Sequence, residues 1–213
     1  MRKAVIAALS AVLMLAGCAA APPQDPDAVR VSFYGDSYTR GKGASDLALR
    51  WATLVSEQRE WVELNHGSDG LGFVNRRTEF GDDDVPSAII AEDPDIVIVN
   101  LGLNDNFSYR VASDFIHEQI GKDFTRIAEG LPDARIIVVE PFWYSDVRPD
   151  SVDTIIEWVK EAADDIGADY IPGASHWLEG HPEWMADDIL HPNDTGYAVI
   201  ADRMDAALTE LGL

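Results

Sequence analysis

Three short runs rich in β-branched and aliphatic residues punctuate this chain: VRVSFY at 29–34, DIVIVN at 95–100 and RIIVVE at 135–140. Each gives way to glycine or proline within two residues. The last two are continuous apolar runs, the pattern of strands buried on both faces of a parallel sheet, and the first, β-branched and aromatic, reads as a strand ending at Gly35. Between them lie segments with helical spacing. Residues 45–59 place Leu47, Trp51, Leu54 and Val55 on one face, with Ser45 as the expected N-cap. Residues 114–130 present Phe115, Ile116, Ile120, Phe124 and Ile127 as a core stripe, and residues 151–166 are also expected to be helical. A closing amphipathic helix is expected over 195–211, capped by Asn193 or Asp194. WVELN at 61–65 reads as a further strand and Tyr170-Ile171 as a short last one, whereas residues 66–94 yield only a short helix over 86–91. Strands alternating with helices imply right-handed βαβ units and a parallel sheet covered on both faces.

A chain of 213 residues, 46% hydrophobic and 25% charged, suits one globular domain with a sizeable core. The first residues are of another kind. Arg2 and Lys3 precede an apolar run from Ala4 to Ala16 and then Leu15-Ala16-Gly17-Cys18. This is the layout of a secretory signal peptide, too short to span a bilayer comfortably. Its end resembles the lipobox of bacterial lipoproteins, in which the cysteine is acylated; Cys18 is the only cysteine. The expected organisation is therefore a signal peptide at 1–17, lipidated Cys18 and an Ala/Pro-rich tether at 18–28, and a folded domain at 29–213. The expected location is extracytoplasmic, as a membrane lipoprotein facing outward or towards a periplasm.

The net charge of −22 leaves no positive field for nucleic acid or anionic headgroups, so contact with a membrane is expected only through the Cys18 anchor. Neutral or cationic substrates suit such a surface better, although acidity also keeps a secreted protein soluble. The oligomeric state is left open.

In doubly wound sheets, ligands bind beyond the carboxyl ends of the strands. Following each strand outwards gives Gly35-Asp36-Ser37, then Gly67-Ser68-Asp69-Gly70, then Gly102-Leu103-Asn104-Asp105, then Pro141-Phe142-Trp143-Tyr144. Gly-Asp-Ser suits a turn as well as a nucleophile. A serine hydroxyl is a weak nucleophile that needs an imidazole to accept its proton, and the imidazole needs an orienting partner. DDILHPND at 187–194 supplies both, as His191 with Asp188 three residues before it; Asp187, four before it, is the rival. Negative charge developing on a carbonyl oxygen needs hydrogen-bond donors, for which the Ser37 amide, the Gly70 amide and the Asn104 side chain are placed to serve. Gly67 is the alternative glycine.

These four blocks, in this order from about residue 30 to 211, resemble the SGNH (GDSL) hydrolase family. The resemblance implies a three-layer α/β/α flavodoxin-like fold with a central parallel sheet, and neither metal nor organic cofactor. It also implies roles: Ser37 as nucleophile, His191 as base, Asp188 as its orienter, and Gly70 and Asn104 lining the oxyanion hole with Ser37. The α/β-hydrolase elbow Gly-x-Ser-x-Gly, a phosphate loop and a dinucleotide fingerprint are absent from the sequence. His176, His181 and His191 lack the spacing of a metal motif.

Phe107, Tyr109, Trp143, Tyr144, Trp177 and Trp184 fall in loops near the expected rim, and Trp143, Tyr144 and Trp177 are the expected substrate contacts. The expected activity is hydrolysis of carboxylic esters, short-chain or acetyl, on a small molecule or a glycan. Lysophospholipase, thioesterase or acyltransferase activity at the same site, and a glycan-binding lipoprotein without turnover, are the alternatives.

Overall fold

The computed structural model describes residues 27–80 and 84–213, so the expected signal peptide, Cys18 and nearly all of the tether lie outside the described residues. Five strands, β1 (Arg30–Gly35), β2 (Val62–Asn65), β3 (Ile96–Asn100), β4 (Arg135–Val139) and β5 (Asp169–Ile171), form one sheet in the order β2-β1-β3-β4-β5. Every pairing is parallel. This is the flavodoxin-like strand order, whose switch point lies between β1 and β3. The helices are α1 (Ser37–Arg40), α2 (Trp51–Gln58), α3 (Val85–Glu92), α4 (Tyr109–Gly130), α5 (Asp150–Asp165) and α6 (Asp194–Glu210).

Side-chain alternation along the strands divides the interior into two cores. Val31, Phe33, Ile98 and Val139 pack with Trp51 and Val55 of α2 and with Tyr197, Ile200 and Met204 of α6. Tyr34, Val97, Val99 and Val138 pack on the other face with Ile89 of α3, Ile116, Ile120 and Phe124 of α4, and Val159 of α5. All five residues of β3 are buried, as its apolar run requires. The three-layer α/β/α architecture expected from the sequence is the one observed.

Two local expectations are corrected. Helix 45–59 is broken: Asp46 caps a single 3₁₀ turn at Leu47–Leu49, Arg50 is extended at φ −73° and ψ 149°, and α2 starts only at Trp51. The extended Arg50 lets its guanidinium reach Glu63 on β2 at 2.9 Å, and Leu47 stays in solvent. Ser45 caps nothing; its amide and hydroxyl both donate to Asp194, each at 2.7 Å. In α4, Phe115 is 68% exposed because Ile116, Ile120 and Phe124 define the buried stripe, and Phe115 sits about 100° around the helix from it. The cap of α6 is Asn193, whose side chain accepts from the Gly196 amide at 3.0 Å.

The long connection after β2 is pinned to α4 by charge. Arg77 donates to both oxygens of Asp123 at 2.6 and 2.8 Å, and the hydroxyl of Tyr34 donates to the same carboxylate at 2.9 Å. With Asp123 1% exposed, removing it takes one of two carboxylates from the partly buried Arg77, which keeps Asp84 at 2.8 Å, and leaves the buried Tyr34 hydroxyl without its acceptor. Asp123→Ala is expected to cost about 3 kcal/mol, lowering Tm by about 6–12 °C for a chain of this length. Thermal and urea melts check this.

Candidate active site

Ser37 stands where β1 turns into the four-residue helix α1. Gly35 is required by close approach, since a Cβ there would lie 2.0 Å from Thr39 Oγ1 and 2.9 Å from the Asn100 carbonyl. Asp36 caps the turn by accepting from the Tyr38 amide at 2.9 Å, and the Ser37 carbonyl accepts from the amides of Gly41 and Lys42. The serine is thus held on a tight strand-to-helix elbow at the carboxyl edge of the sheet.

His191 comes from the other end of the chain. The segment before α6 folds back on itself: Met185 bridges Pro192, the Ala186 amide donates to the His191 carbonyl at 2.8 Å, and Asn193 donates to the carbonyls of Glu183 and Met185. Contacts across the sequence dock this segment on the elbow. Tyr38 Oη donates to the Leu190 carbonyl at 2.6 Å, and Tyr197 Oη donates to the Lys42 carbonyl at 2.7 Å. Gly43 has no room for a side chain, since a Cβ would lie 2.4 Å from the Pro192 carbonyl. The outcome is that His191 Nε2 lies 3.0 Å from Ser37 Oγ, and His191 Nδ1 lies 2.6 Å from Asp188 Oδ2. Both Ser37 and His191 are buried.

Asp188 does more than meet the ring. Its Oδ1 accepts from the amides of Leu190 and His191 at 3.0 and 2.9 Å. Partial burial raises its carboxyl, but the bonds from the His191 ring and from those two amides bring it down to about 2. It is therefore ionised at neutral pH and holds the imidazole proton on Nδ1, which leaves Nε2 to accept from the serine. Asp187, the rival in the sequence, is exposed and is not the carboxylate bonded to the ring.

Asn104 links the remaining pieces. Its Nδ2 donates to the Leu71 carbonyl at 2.9 Å and to Asp36 Oδ2 at 3.2 Å, which brings the third strand's loop against both the serine elbow and the Gly70 loop. Gly70 has φ +75°, in the left-handed region that favours glycine. Gly67, the alternative, spends its amide on Asn65 Oδ1 and packs against the backbone of Thr39 and Arg40. Its role is close approach.

Two acids that the sequence reading did not single out support this arrangement. Asp105, fully buried, accepts from three successive amides, Phe73, Val74 and Asn75, at 2.7, 2.9 and 3.1 Å, and Gly72 is bare where its carboxylate sits. Burial still raises Asp105 above the ordinary carboxylate range. The only signal in the sequence was its place beside Asn104. Burial raises Asp36 to about 7, against the Tyr38 amide, with the charges of Asp105 and Asp69 adding to the rise.

The expected substrate aromatics divide. Tyr144 is half-buried and borders a surface cleft. Trp143 is instead buried at 3% exposure, with its indole N–H satisfied by Ser145 Oγ and the Val147 carbonyl inside its own loop. Trp177 packs on Phe142, which stacks in turn on Tyr38, so it supports the elbow from behind. His176 and His181 pair with Glu179 and Glu183.

The pattern that defines the GDSL-like lipase/acylhydrolase family matches residues 33–199. The chain belongs to this family. It is a hydrolase of the esterase and acylhydrolase class, in keeping with the resemblance carried by its four blocks. A GDSL lipase of Mycobacterium tuberculosis is 23% identical over 182 residues, covering 82% of this chain and 79% of that protein. Among solved structures, the psychrotrophic esterase EstA of a Pseudoalteromonas species is similar at a TM-score of 0.66 and 16% identity, over 85% of this chain and 97% of that one. A two-domain esterase active on acetylated mannans is similar at a TM-score of 0.66 and 18% identity, over 86% of this chain and 49% of that one.

Because Asp36 holds its proton more tightly folded than unfolded, the stability tied to that proton is fully present below the unfolded value of about 4 and is lost as pH rises to about 7. Asp36→Asn removes the charge, so its Tm relative to the wild type should climb between pH 5 and pH 7 and level off above. Melts of both proteins from pH 5 to 8 check this; a gap independent of pH contradicts it.

Proposed function

We propose that this enzyme is an extracytoplasmic serine ester hydrolase that cleaves short-chain or acetyl carboxylic esters, on small molecules or carbohydrate, through an acyl-enzyme on Ser37. The observation that carries the reading is the unbroken chain from Ser37 Oγ to His191 Nε2 at 3.0 Å and from His191 Nδ1 to Asp188 at 2.6 Å. A hydroxyl donating to an imidazole that is itself fixed by a carboxylate is the arrangement that activates serine.

In the first step Ser37 Oγ bonds to the ester carbonyl carbon while its proton passes to His191 Nε2. The ionised Asp188 stabilises the imidazolium. Negative charge on the former carbonyl oxygen is met by the amides of Ser37 and Gly70 and by Asn104 Nδ2, whose longer bond, to Asp36, is the one exchanged for the oxyanion. Collapse breaks the bond to the alcohol oxygen, which takes the proton from Nε2. Water activated by the same nitrogen then releases the acid and regenerates Ser37. The acyl group transferred is read as short, in line with the relative active on acetylated mannans. The anchor assigned to Cys18, following the apolar run from Ala4 to Ala16, would hold the enzyme at a membrane.

A fluorophosphonate probe should label Ser37 in the wild type and not in Ser37→Ala. On nitrophenyl acetate, His191→Ala should lose at least about 10³-fold in kcat, and Asn104→Ala about 10²-fold, with folding checked by melts. Full activity in His191→Ala would end this reading. For the anchor, Cys18→Ser is expected to move the protein from the membrane pellet to the soluble fraction of its cells; an unchanged distribution would contradict lipidation.

A further inference from the structure

The loop between β4 and α5 and the segment preceding α6 enclose a cleft of about 300 Å³. Its walls include Tyr144, Val147, Leu178, Pro182, Met185 and Ile189. Most of the polar groups around it are already engaged, the Tyr144 hydroxyl excepted. Ser145 Oγ donates to the Val147 carbonyl, Asp146 accepts from the Gly180 amide at 2.8 Å, and His181 pairs with Glu183 and stacks on Trp184 at 3.5 Å. What remains facing the space is mostly carbon, and two of its walls, Val147 and Ile189, are 78% and 71% exposed.

Ile189 is also the strained member of the triad's own loop. Its φ is +57°, in the left-handed region where a β-branched side chain crowds its own backbone. The turn is imposed by Asp188, which takes the amides of Leu190 and His191. The isoleucine side chain is not imposed by it, and it fills no part of either core. A strained conformation kept with an exposed apolar side chain, one residue from the orienting acid, is a feature of functional sites.

We propose that this cleft receives an apolar alcohol portion of the ester, with Ile189 and Val147 as the walls that set specificity. The proposal rests on the hydrolase reading above. In that reading the carbonyl oxygen points to Gly70 and Asn104, whereas the departing oxygen must collect its proton from His191. The alcohol therefore leaves on the side of the crevice formed by the histidine's loop, where Ile189 and Met185 border the cleft. At the small end of ligand pockets, the space fits a single ring or a short chain, not an oligosaccharide.

The test uses acetate esters that differ only in the alcohol, from ethyl to hexyl, followed by pH-stat on the full-length protein. The wild-type kcat/KM should rise about tenfold along the series, because each buried methylene adds to binding. Val147→Ser and Ile189→Gly should each reduce the hexyl-to-ethyl ratio to about threefold or less. Val147 stands outside the Asp188–His191 turn, so its variant keeps the test valid if glycine at 189 loosens that turn. A parallel series of ethyl esters, acetate to hexanoate, should keep its profile in both variants. A flat wild-type alcohol series, a ratio unmoved in both variants, or a change confined to the acyl series would each overturn the assignment. Fluorophosphonate labelling of all three proteins separates the two readings. Absent labelling of the wild type defeats the hydrolase mechanism, whereas normal labelling with an unmoved ratio defeats the cleft alone.

Discussion

The reactive geometry depends on how two distant parts of the chain are fastened together. Ser37 ends the first strand and His191 precedes the last helix, and nothing local in either segment fixes their separation. That is done by the bond from Tyr38 to the Leu190 carbonyl, the bond from Tyr197 to the Lys42 carbonyl, and the two bonds from Ser45 to Asp194. Each has a side-chain group on one segment meeting the other, and two of them are anchored by tyrosines whose rings are fully buried in the same core. Burial of the rings supplies the stability, and the hydroxyls convert it into position.

The Gly70 loop and Asn104 are organised by a different means. There, buried carboxylates do the holding: Asp105 gathers three amides of the loop beyond Gly70, and Asp36 meets the amide of Tyr38 and the side chain of Asn104. Neither acid has an ion-pair partner among the described residues, and both are pushed up by burial. Acids in such surroundings work against the stability of the fold, and what each supplies in return is order among the amides and side chains it binds.

The sheet was legible because buried parallel strands leave an unmistakable apolar run, as in DIVIVN. Ser37, Asn104, Asp188 and His191 were legible because each follows a strand or precedes the last helix at a spacing that chemistry demands. The failures have physical causes. Ser45 looks like a helix cap, but a carboxylate 149 residues away competes for it. Trp143 looks like a rim aromatic until its own loop closes over the indole. Phe115 lies beside a buried stripe, and composition cannot tell a neighbour from a member. The cleft at Ile189 was invisible because a positive φ at isoleucine violates the rule by which sequence is read.

The separation of 154 residues between Ser37 and His191 has a consequence for biosynthesis. A nascent chain that has displayed the Gly-Asp-Ser elbow lacks His191 until nearly all of its length has emerged, and contacts this remote in sequence are slow to form. Fragments cut short before residue 188 therefore lack the Asp188–His191 pair, and the Ser37 hydroxyl meets no imidazole from that segment until synthesis and folding are nearly complete.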